Sequence, residues 1–233
     1  MKPKIVFATG NEGKMREVRD ILGDMDLEIL SMKEAGINAD IVEDGTTFEE
    51  NAIIKAKAVA KLLAANGQDM QVEGEYAAAE RKNGQTSAEQ KDSVCADIIV
   101  LADDSGLEID YLNKEPGIYS ARYMGEDTPF SVKSRNLIER LDGVPDEKRT
   151  ARFVCAIAAV MPDGEVVTTL GTIEGRIDYE EKGTNGFGYD PIFYVPECGC
   201  TTAELSEEEK NRISHRGRAL EIMKPELRKR IEK

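Results

Sequence analysis

Five consecutive apolar residues, Ile98-Ile99-Val100-Leu101-Ala102, run directly into Asp103-Asp104-Ser105-Gly106. A run of that length, bounded by turn-forming residues, reads as a buried strand. Its backbone N–H and C=O groups need partners, so it demands neighbouring strands. The chain is therefore constrained to a sheet with this strand at its centre and two carboxylates at the strand's C-terminal end. Open α/β sheets bind their ligands at that edge. Because successive side chains alternate, Asp103 and Asp104 face opposite sides of the strand. One can hold a metal ion while the other makes structural hydrogen bonds. Taken alone, the segment is equally readable as an Asp-Ser-Gly turn.

The rest of the chain supplies the layers around that strand. Ile5-Val6-Phe7-Ala8 predicts another buried strand, followed by a glycine-bearing turn and a helix carrying Met15, Val18, Ile21 and Leu22 at helical spacing. Leu27 to Leu30 predicts a second strand. Thr46 and Thr47 stand three residues before Glu49 and Glu50, a capping-box pattern. Phe48, Ala52, Ala56, Val59 and Leu63 share one face of the helix behind it, which is predicted to end near Ala65, before Asn66-Gly67. Leu107 to Leu112 predicts a further strand and Phe130 to Leu141 a helix. Phe153 to Val160 and Glu165 to Thr172 predict two strands joined by Pro162-Asp163-Gly164. Ser206 with Glu209 caps another helix, and Ala219 to Met223 belongs to a last one before Pro225. The sum is a mixed α/β fold whose hairpins exclude a purely parallel sheet. Residues 66 to about 97 differ in kind: Gly, Gln, Asn, Ser and Glu dominate, which predicts an exposed excursion from a single domain over residues 1–233.

Composition narrows the chemistry. The balance of 45 acidic against 31 basic residues, a net charge of −14, argues against non-specific binding to nucleic acid or a membrane surface. It leaves room for a small polyanion if basic residues converge and a metal ion offsets the rest. No apolar run approaches the ~18 residues needed to span a bilayer, and the N-terminal apolar run is too short for a signal-peptide core, so a cytoplasmic protein is expected. With one histidine, His215, and no C-x-x-C spacing (Cys198 and Cys200 flank a single residue), a zinc site lacks ligands. A Ser-His-Asp triad would need that same histidine, and no G-x-S-x-G elbow occurs. Carboxylates are the catalytic groups best supplied.

Five constellations bear on chemistry, each ambiguous alone. Thr9-Gly10-Asn11-Glu12-Gly13-Lys14, between strand and helix, suits a phosphate by its backbone N–H groups and its lysine, and reads equally as a structural turn. It is not a Walker A loop, because two residues are missing between the glycines and Met15 stands where Ser or Thr would hold Mg²⁺. Asp103-Asp104-Ser105 is the second. Glu43 precedes the capped helix, while Lys55 within it either snorkels or reaches an anion. Gly186-Phe187-Gly188-Tyr189-Asp190 displays aromatic rings on a tight loop, for stacking on a base or for filling the core. Lys210 and Ser214-His215-Arg216 supply donors that suit a carbonyl oxygen, or form a solvated helix end.

Together these segments spell one pattern. Thr9-Gly10-Asn11-x-Gly13-Lys14, Thr47-Phe48-x-x-Asn51-Ala52-x-x-Lys55-Ala56, Ala102-Asp103-Asp104-Ser105-Gly106-Leu107, Pro116-Gly117-Ile118-Tyr119-Ser120-Ala121-Arg122-Tyr123, Gly186-Phe187-Gly188-Tyr189-Asp190-Pro191 and Ser214-His215-Arg216-Gly217 occur in that order. The chain resembles the inosine triphosphate pyrophosphatase family over about Lys4 to Met223.

The resemblance implies a two-lobed α/β fold on a long mixed sheet flanked by helices, with the substrate in the cleft between lobes. It implies Mg²⁺-dependent hydrolysis of ITP, dITP and XTP to the monophosphate and pyrophosphate by a homodimer. It assigns Asp104 as catalytic carboxylate and metal ligand, and Glu43 as a second metal ligand. Thr9, Gly10, Asn11, Glu12, Gly13, Lys14 and Lys55 become triphosphate contacts and Ser105 a further substrate contact. Phe187, Gly188, Tyr189, Asp190, Lys210, His215 and Arg216 become the base-recognition set. Hypoxanthine and xanthine present a 6-keto acceptor where adenine presents an amino donor. A donor from His215 or Arg216 would therefore face a donor in adenine, at a loss of roughly 1–3 kcal/mol per unmade bond. Two rival readings remain: a pyrophosphatase for other nucleoside triphosphates, with a different base pocket, and a nucleotide-sensing module without turnover. The extra stretch of roughly 30 residues within 66–97 departs from the family pattern but leaves every motif intact.

Overall fold

The computed structural model describes residues 2–72 and 98–231. A seven-stranded sheet organises them: β1 (Lys4–Phe7), β2 (Glu28–Ser31), β3 (Ile98–Ile109), β4 (Thr150–Val160), β5 (Val166–Ile177), β6 (Phe193–Val195) and β7 (Cys200–Thr201). Their spatial order is β2-β1-β3-β4-β5-β6-β7. β1 runs parallel to β2 and β3, and all later pairs are antiparallel. Among the described residues the α-helices are α1 (Glu12–Ile21), α2 (Phe48–Val72), α3 (Phe130–Arg140), α4 (Glu207–Ile213) and α5 (His215–Ile231). This is the mixed α/β sheet flanked by helices that the sequence implies.

Strand parity sorts the core into layers. Ile5 and Phe7 of β1, Ile99 and Leu101 of β3, and Cys155, Ile157 and Ala159 of β4 pack with Met15, Val18 and Ile21 of α1 and Leu220, Met223 and Leu227 of α5. The alternate residues Val6, Val100, Ala102, Ala156 and Ala158 pack on the opposite face against Phe48, Ala52, Ala56 and Val59 of α2. A third cluster, under the far end of the long strands, joins Leu107, Ile109, Phe153 and Ile173 to Leu137, Leu141 and Phe193. Each set repeats every second residue, as a sheet buried on both faces requires.

β4 starts earlier (Thr150) and β5 ends later (Ile177) than the sequence reading, and three larger differences concern element ends. The central strand does not end at Ala102: it continues as one strand through the aspartates to Ile109, replacing the separate strand expected over Leu107 to Leu112. The reason is β4, which pairs antiparallel along its length and takes up Asp103, Asp104, Ser105 and Gly106 opposite Ile157, Ala156, Cys155 and Val154. α2 runs through Asn66-Gly67 to Val72 rather than stopping near Ala65. α5 continues past Pro225 to Ile231, because Leu227 extends the buried stripe of Leu220 and Met223 beyond the proline. The part of the expected excursion from residue 73 to 97 lies outside the described residues.

At the entry to α2, Thr47 Oγ1 accepts from Glu50 N at 3.1 Å, and the Glu50 carboxylate accepts from Thr46 N and Oγ1. Ser206 and Glu209 form the expected reciprocal cap on α4. No helix among the described residues is long and apolar enough to cross a membrane.

Candidate active site

β1 ends at Phe7 and its register with β3 stops at Leu101, whereas β3 runs on to Ile109. Along Asp103 to Ser105 the edge of β3 therefore has a strand partner on the β4 side and a cleft on the other, before Glu108 bridges to Pro116. A cleft of about 340 Å³ opens there. That is within the range of a small-molecule site. Its walls come from the α1 loop, the segment before α2, β3, the turn after Pro116, the Phe187 loop and the start of α5.

Parity gives the two aspartates different environments. Asp103 points to the α1/α5 side and is fully buried. It accepts from Lys14 Nζ at 3.0 Å and from Arg216 Nη2 and Nε at 2.7 and 3.1 Å. Burial works to raise its pKa, but Lys14, Arg216 and Lys55 outweigh it and hold the carboxyl far below the usual carboxylate range. Asp104 points to the α2 side, where Asn51 Nδ2 donates to Oδ2 at 2.9 Å and Ser105 N donates to Oδ1 at 2.9 Å. Burial raises the Asp104 pKa above its ordinary value; the Asn51 hydrogen bond and the charges of Lys55 and Lys14 oppose the rise, and the charge of Glu43 adds to it. One strand thus presents a permanently ionised structural anchor and a carboxylate with raised proton affinity.

The cations near the aspartates are bound to acids. Lys55 Nζ sits 3.0 Å from Glu43 Oε1 and donates to the Asp103 carbonyl at 2.9 Å. Arg216, nearly fully buried, donates to Asp103, to Glu17 and, at 3.0 Å, to Ser105 Oγ. Lys210 Nζ bridges Glu17 at 2.8 Å and Asp190 at 2.6 Å. Burial opposes ionisation of Glu17, yet Arg216 and Lys210 hold its pKa below the usual range. Asp190 also accepts from Phe187 N at 2.8 Å and from Thr202 Oγ1 at 2.8 Å, so this buried carboxylate ties the aromatic loop to α4.

The opposite wall is aromatic. Phe187 lines the cleft with Lys210 4.9 Å and Arg216 5.7 Å from its ring centre. Gly13 lets α1 approach that ring: a Cβ there would lie 2.6 Å from Phe187 Cδ1. His215 stacks on Phe153 at 4.8 Å between ring centres, and its buried Nδ1 has no hydrogen-bond partner among the described residues. Burial, with help from Arg216 and Lys210, pushes the His215 pKa well below 6.5, so the ring is neutral and carries one free acceptor or donor. Tyr189 is core-facing rather than free: it is 3% exposed, donates its hydroxyl to Ser120 O at 2.9 Å, and meets Phe130 edge-on.

Most of the expected site residues converge on this one cleft: Asn11, Lys14, Glu43, Lys55, Asp104, Ser105, Phe187, Gly188, Tyr189, Asp190, Lys210, His215 and Arg216. Four residues of the first loop do not line it. Thr9, Gly10 and Glu12 face a separate depression shared with Ser31 and Lys33, and Gly13 packs behind Phe187. Among the contributors not expected as site residues, two hold others in place. Asn51, present in the Thr47–Ala56 motif, holds Asp104, and Glu17, on the buried side of α1, holds Arg216 and Lys210. Glu17 falls between the apolar positions Met15 and Val18 of α1.

Known proteins match this chain along nearly its whole length. The model of the Ham1 family matches residues 5–226. A dITP/XTP pyrophosphatase of Clostridium perfringens is 44% identical over 225 residues, covering 97% of each chain. One from Exiguobacterium sibiricum is 40% identical over 224 residues, covering 96% of each. Among solved structures, the Ham1 protein of Staphylococcus aureus superposes with a TM-score of 0.73 at 38% identity, covering 96% of this chain and 97% of that one. A HAM1 protein from Coxiella burnetii gives 0.74 at 37%, covering 98% and 100%. With the sequence, the sheet order and the relatives in agreement over that length, the chain belongs to the Ham1 family.

Proposed function

We propose that this protein hydrolyses non-standard purine nucleoside triphosphates, ITP, dITP and XTP, to the monophosphate and pyrophosphate. The supporting observation is the polarity of one cleft: Asp104, Glu43, Lys14 and Lys55 line one part of it, and Phe187, Lys210 and His215 another. The first set suits a phosphate chain and the second a flat heterocycle with a keto oxygen. The names of the relatives, dITP/XTP pyrophosphatases, point to the same substrates.

In this reading Asp104 accepts a proton from the water that attacks the α-phosphorus, a contribution of typically ~10²–10⁴-fold. The amide of Asn51 fixes the Asp104 carboxylate in one orientation. Lys14 and Lys55 offset negative charge on the phosphate oxygens as pyrophosphate departs. Arg216 and Lys210, locked by Glu17, Asp103 and Asp190, hold the Phe187 wall rigid against the base. Neutral His215 lines the base end of the cleft and orients the heterocycle there. Thr9, Gly10, Glu12 and Gly13 shape the loop from which Asn11 and Lys14 reach the cleft.

Mg²⁺ fits this donor set. Glu43 and Asp104 offer hard carboxylate oxygens to the same cleft. Among the described residues no three acidic, His or Cys side chains cluster as a complete cage. That suits an ion bound by one or two carboxylates with water and substrate phosphates completing the shell. When bound it would supply charge stabilisation at the phosphoryl oxygens. The homodimer and a cytoplasmic location belong to the same proposal; sedimentation and cell fractionation test them. The enzymatic test is pyrophosphate release from ITP, dITP, XTP, ATP and GTP, with Mg²⁺ and with EDTA. Metal-dependent release favouring the first three supports the proposal. Equal rates on ATP would sink the base assignment, and no release from any would leave a sensing module.

A further inference from the structure

The motif from Pro116 to Tyr123 contains a cation, Arg122, that the catalytic reading leaves without a task. Arg122 is half-buried and lines the cleft beside Glu43, Lys55 and Asp104. Each other Lys or Arg lining the cleft is matched to a carboxylate: Lys14 to Asp103, Lys55 to Glu43, Lys210 to Glu17 and Asp190, and Arg216 to Glu17 and Asp103. Among the described residues Arg122 alone of the cleft-lining cations has no carboxylate within 4.0 Å. It is nonetheless held in place. Its Nη2 donates to the Glu43 carbonyl at 3.1 Å, and its guanidinium lies 5.3 Å from the ring centre of exposed Tyr119. One N–H and one face are thus engaged, and the remaining N–H groups of the planar fork make no hydrogen bond to the described residues.

We propose that Arg122 grips the phosphate chain of the substrate, adding to Lys14 and Lys55 a positive charge that has no carboxylate partner to share. The proposal rests on reading the cleft as a nucleoside triphosphate site. A polyphosphate brings several negative charges into a cleft whose lysines each share their charge with a carboxylate. An unpaired guanidinium at its mouth is matched to two phosphate oxygens at once. Because Arg122 also holds the backbone of Glu43, phosphate binding and the placement of that carboxylate are coupled through one side chain. The base-reading groups Phe187 and His215 are not among its contacts, so its effect is the same for every base.

The test is calorimetric titration of inorganic tripolyphosphate with Mg²⁺ into the native protein, Arg122→Gln and Arg122→Lys, alongside kcat and KM for ITP and ATP. Arg122→Gln keeps a donor for the Glu43 carbonyl and removes the charge. It is expected to weaken tripolyphosphate binding at least tenfold and to lower kcat/KM for ITP and ATP by one common factor. Arg122→Lys, which keeps the charge without the fork, is expected to lie between. Native-like tripolyphosphate affinity in Arg122→Gln would overturn the proposal and leave Arg122 as a clip for the Glu43 segment. Tripolyphosphate binding needs no turnover. A native protein that binds it through Arg122 but hydrolyses no nucleotide would uphold this inference while refuting the hydrolase reading.

Discussion

Asp103 and Asp104 are consecutive on β3 yet face opposite sides of the sheet, Asp103 bound by Lys14 and Arg216 and Asp104 by the amide of Asn51. Alternation along one strand separates an anchoring carboxylate from a reactive one without any loop. It follows that the two respond differently to the same substitution. Asp104→Asn is expected to abolish turnover, a loss of at least ~10²-fold, with a native circular dichroism spectrum. Asp103→Asn is expected to lose stability as well, because Arg216 and Lys14 are left without their counter-ion. A stable, active Asp104→Asn protein would remove the mechanism.

Glu17 links two parts of the site by ion pairs to Lys210 and Arg216. Removing one member of a buried ion network leaves charge uncompensated, at a cost of about 3–5 kcal/mol. Glu17→Gln should lower the unfolding free energy by that order in a urea titration with unchanged m. A change below ~1 kcal/mol would mean that Glu17 is hydrated in solution.

The buried, neutral state of His215 makes folding stability depend on pH. Its folded pKa lies below the ordinary 6.5, so between the two values the unfolded chain binds a proton that the folded one does not. Stability from this group is present above pH 6.5 and lost as the pH falls below it, by about 1.4 kcal/mol per unit. His215 is the only histidine in the sequence, so no other imidazole titrates in that window. Unfolding midpoints measured from pH 7 to 5 should fall for the native chain and stay flatter for His215→Gln. Parallel slopes would show His215 to be protonated or solvated.

Gly13 controls the distance between α1 and the Phe187 ring. Gly13→Ala must displace that ring, so preference for dITP over dATP should drop by about tenfold, in the range of one lost pocket contact. Tripolyphosphate affinity should hold. If affinity drops instead and preference stays, Phe187 is not part of base selection.

Much of this architecture is readable from local pattern. The apolar runs at Ile5 and Ile98, the Thr47 and Ser206 caps and the Pro162 to Gly164 turn each decide their element within a few residues, and the structure has each of them. What escapes depends on distant partners. β3 carries on through two aspartates because β4, some fifty residues away, pairs with them. α5 carries on through Pro225 because the core below rewards Leu227. The ion pair of Glu17 with Arg216 spans 199 positions, and nothing around Glu17 in the sequence announces it. Asn51 stood inside a recognised motif, but its task appears only once α2 is laid against β3.

Water attack at the α-phosphorus guided by Asp104 leaves a mark that hydrolysis of ITP in ¹⁸O-water, with mass analysis of both products, reads out. Attack at the α-phosphorus puts one ¹⁸O in the monophosphate and none in the pyrophosphate, with no label transfer by Asp104→Asn. Label in the pyrophosphate, or release of inorganic phosphate in its place, would contradict it.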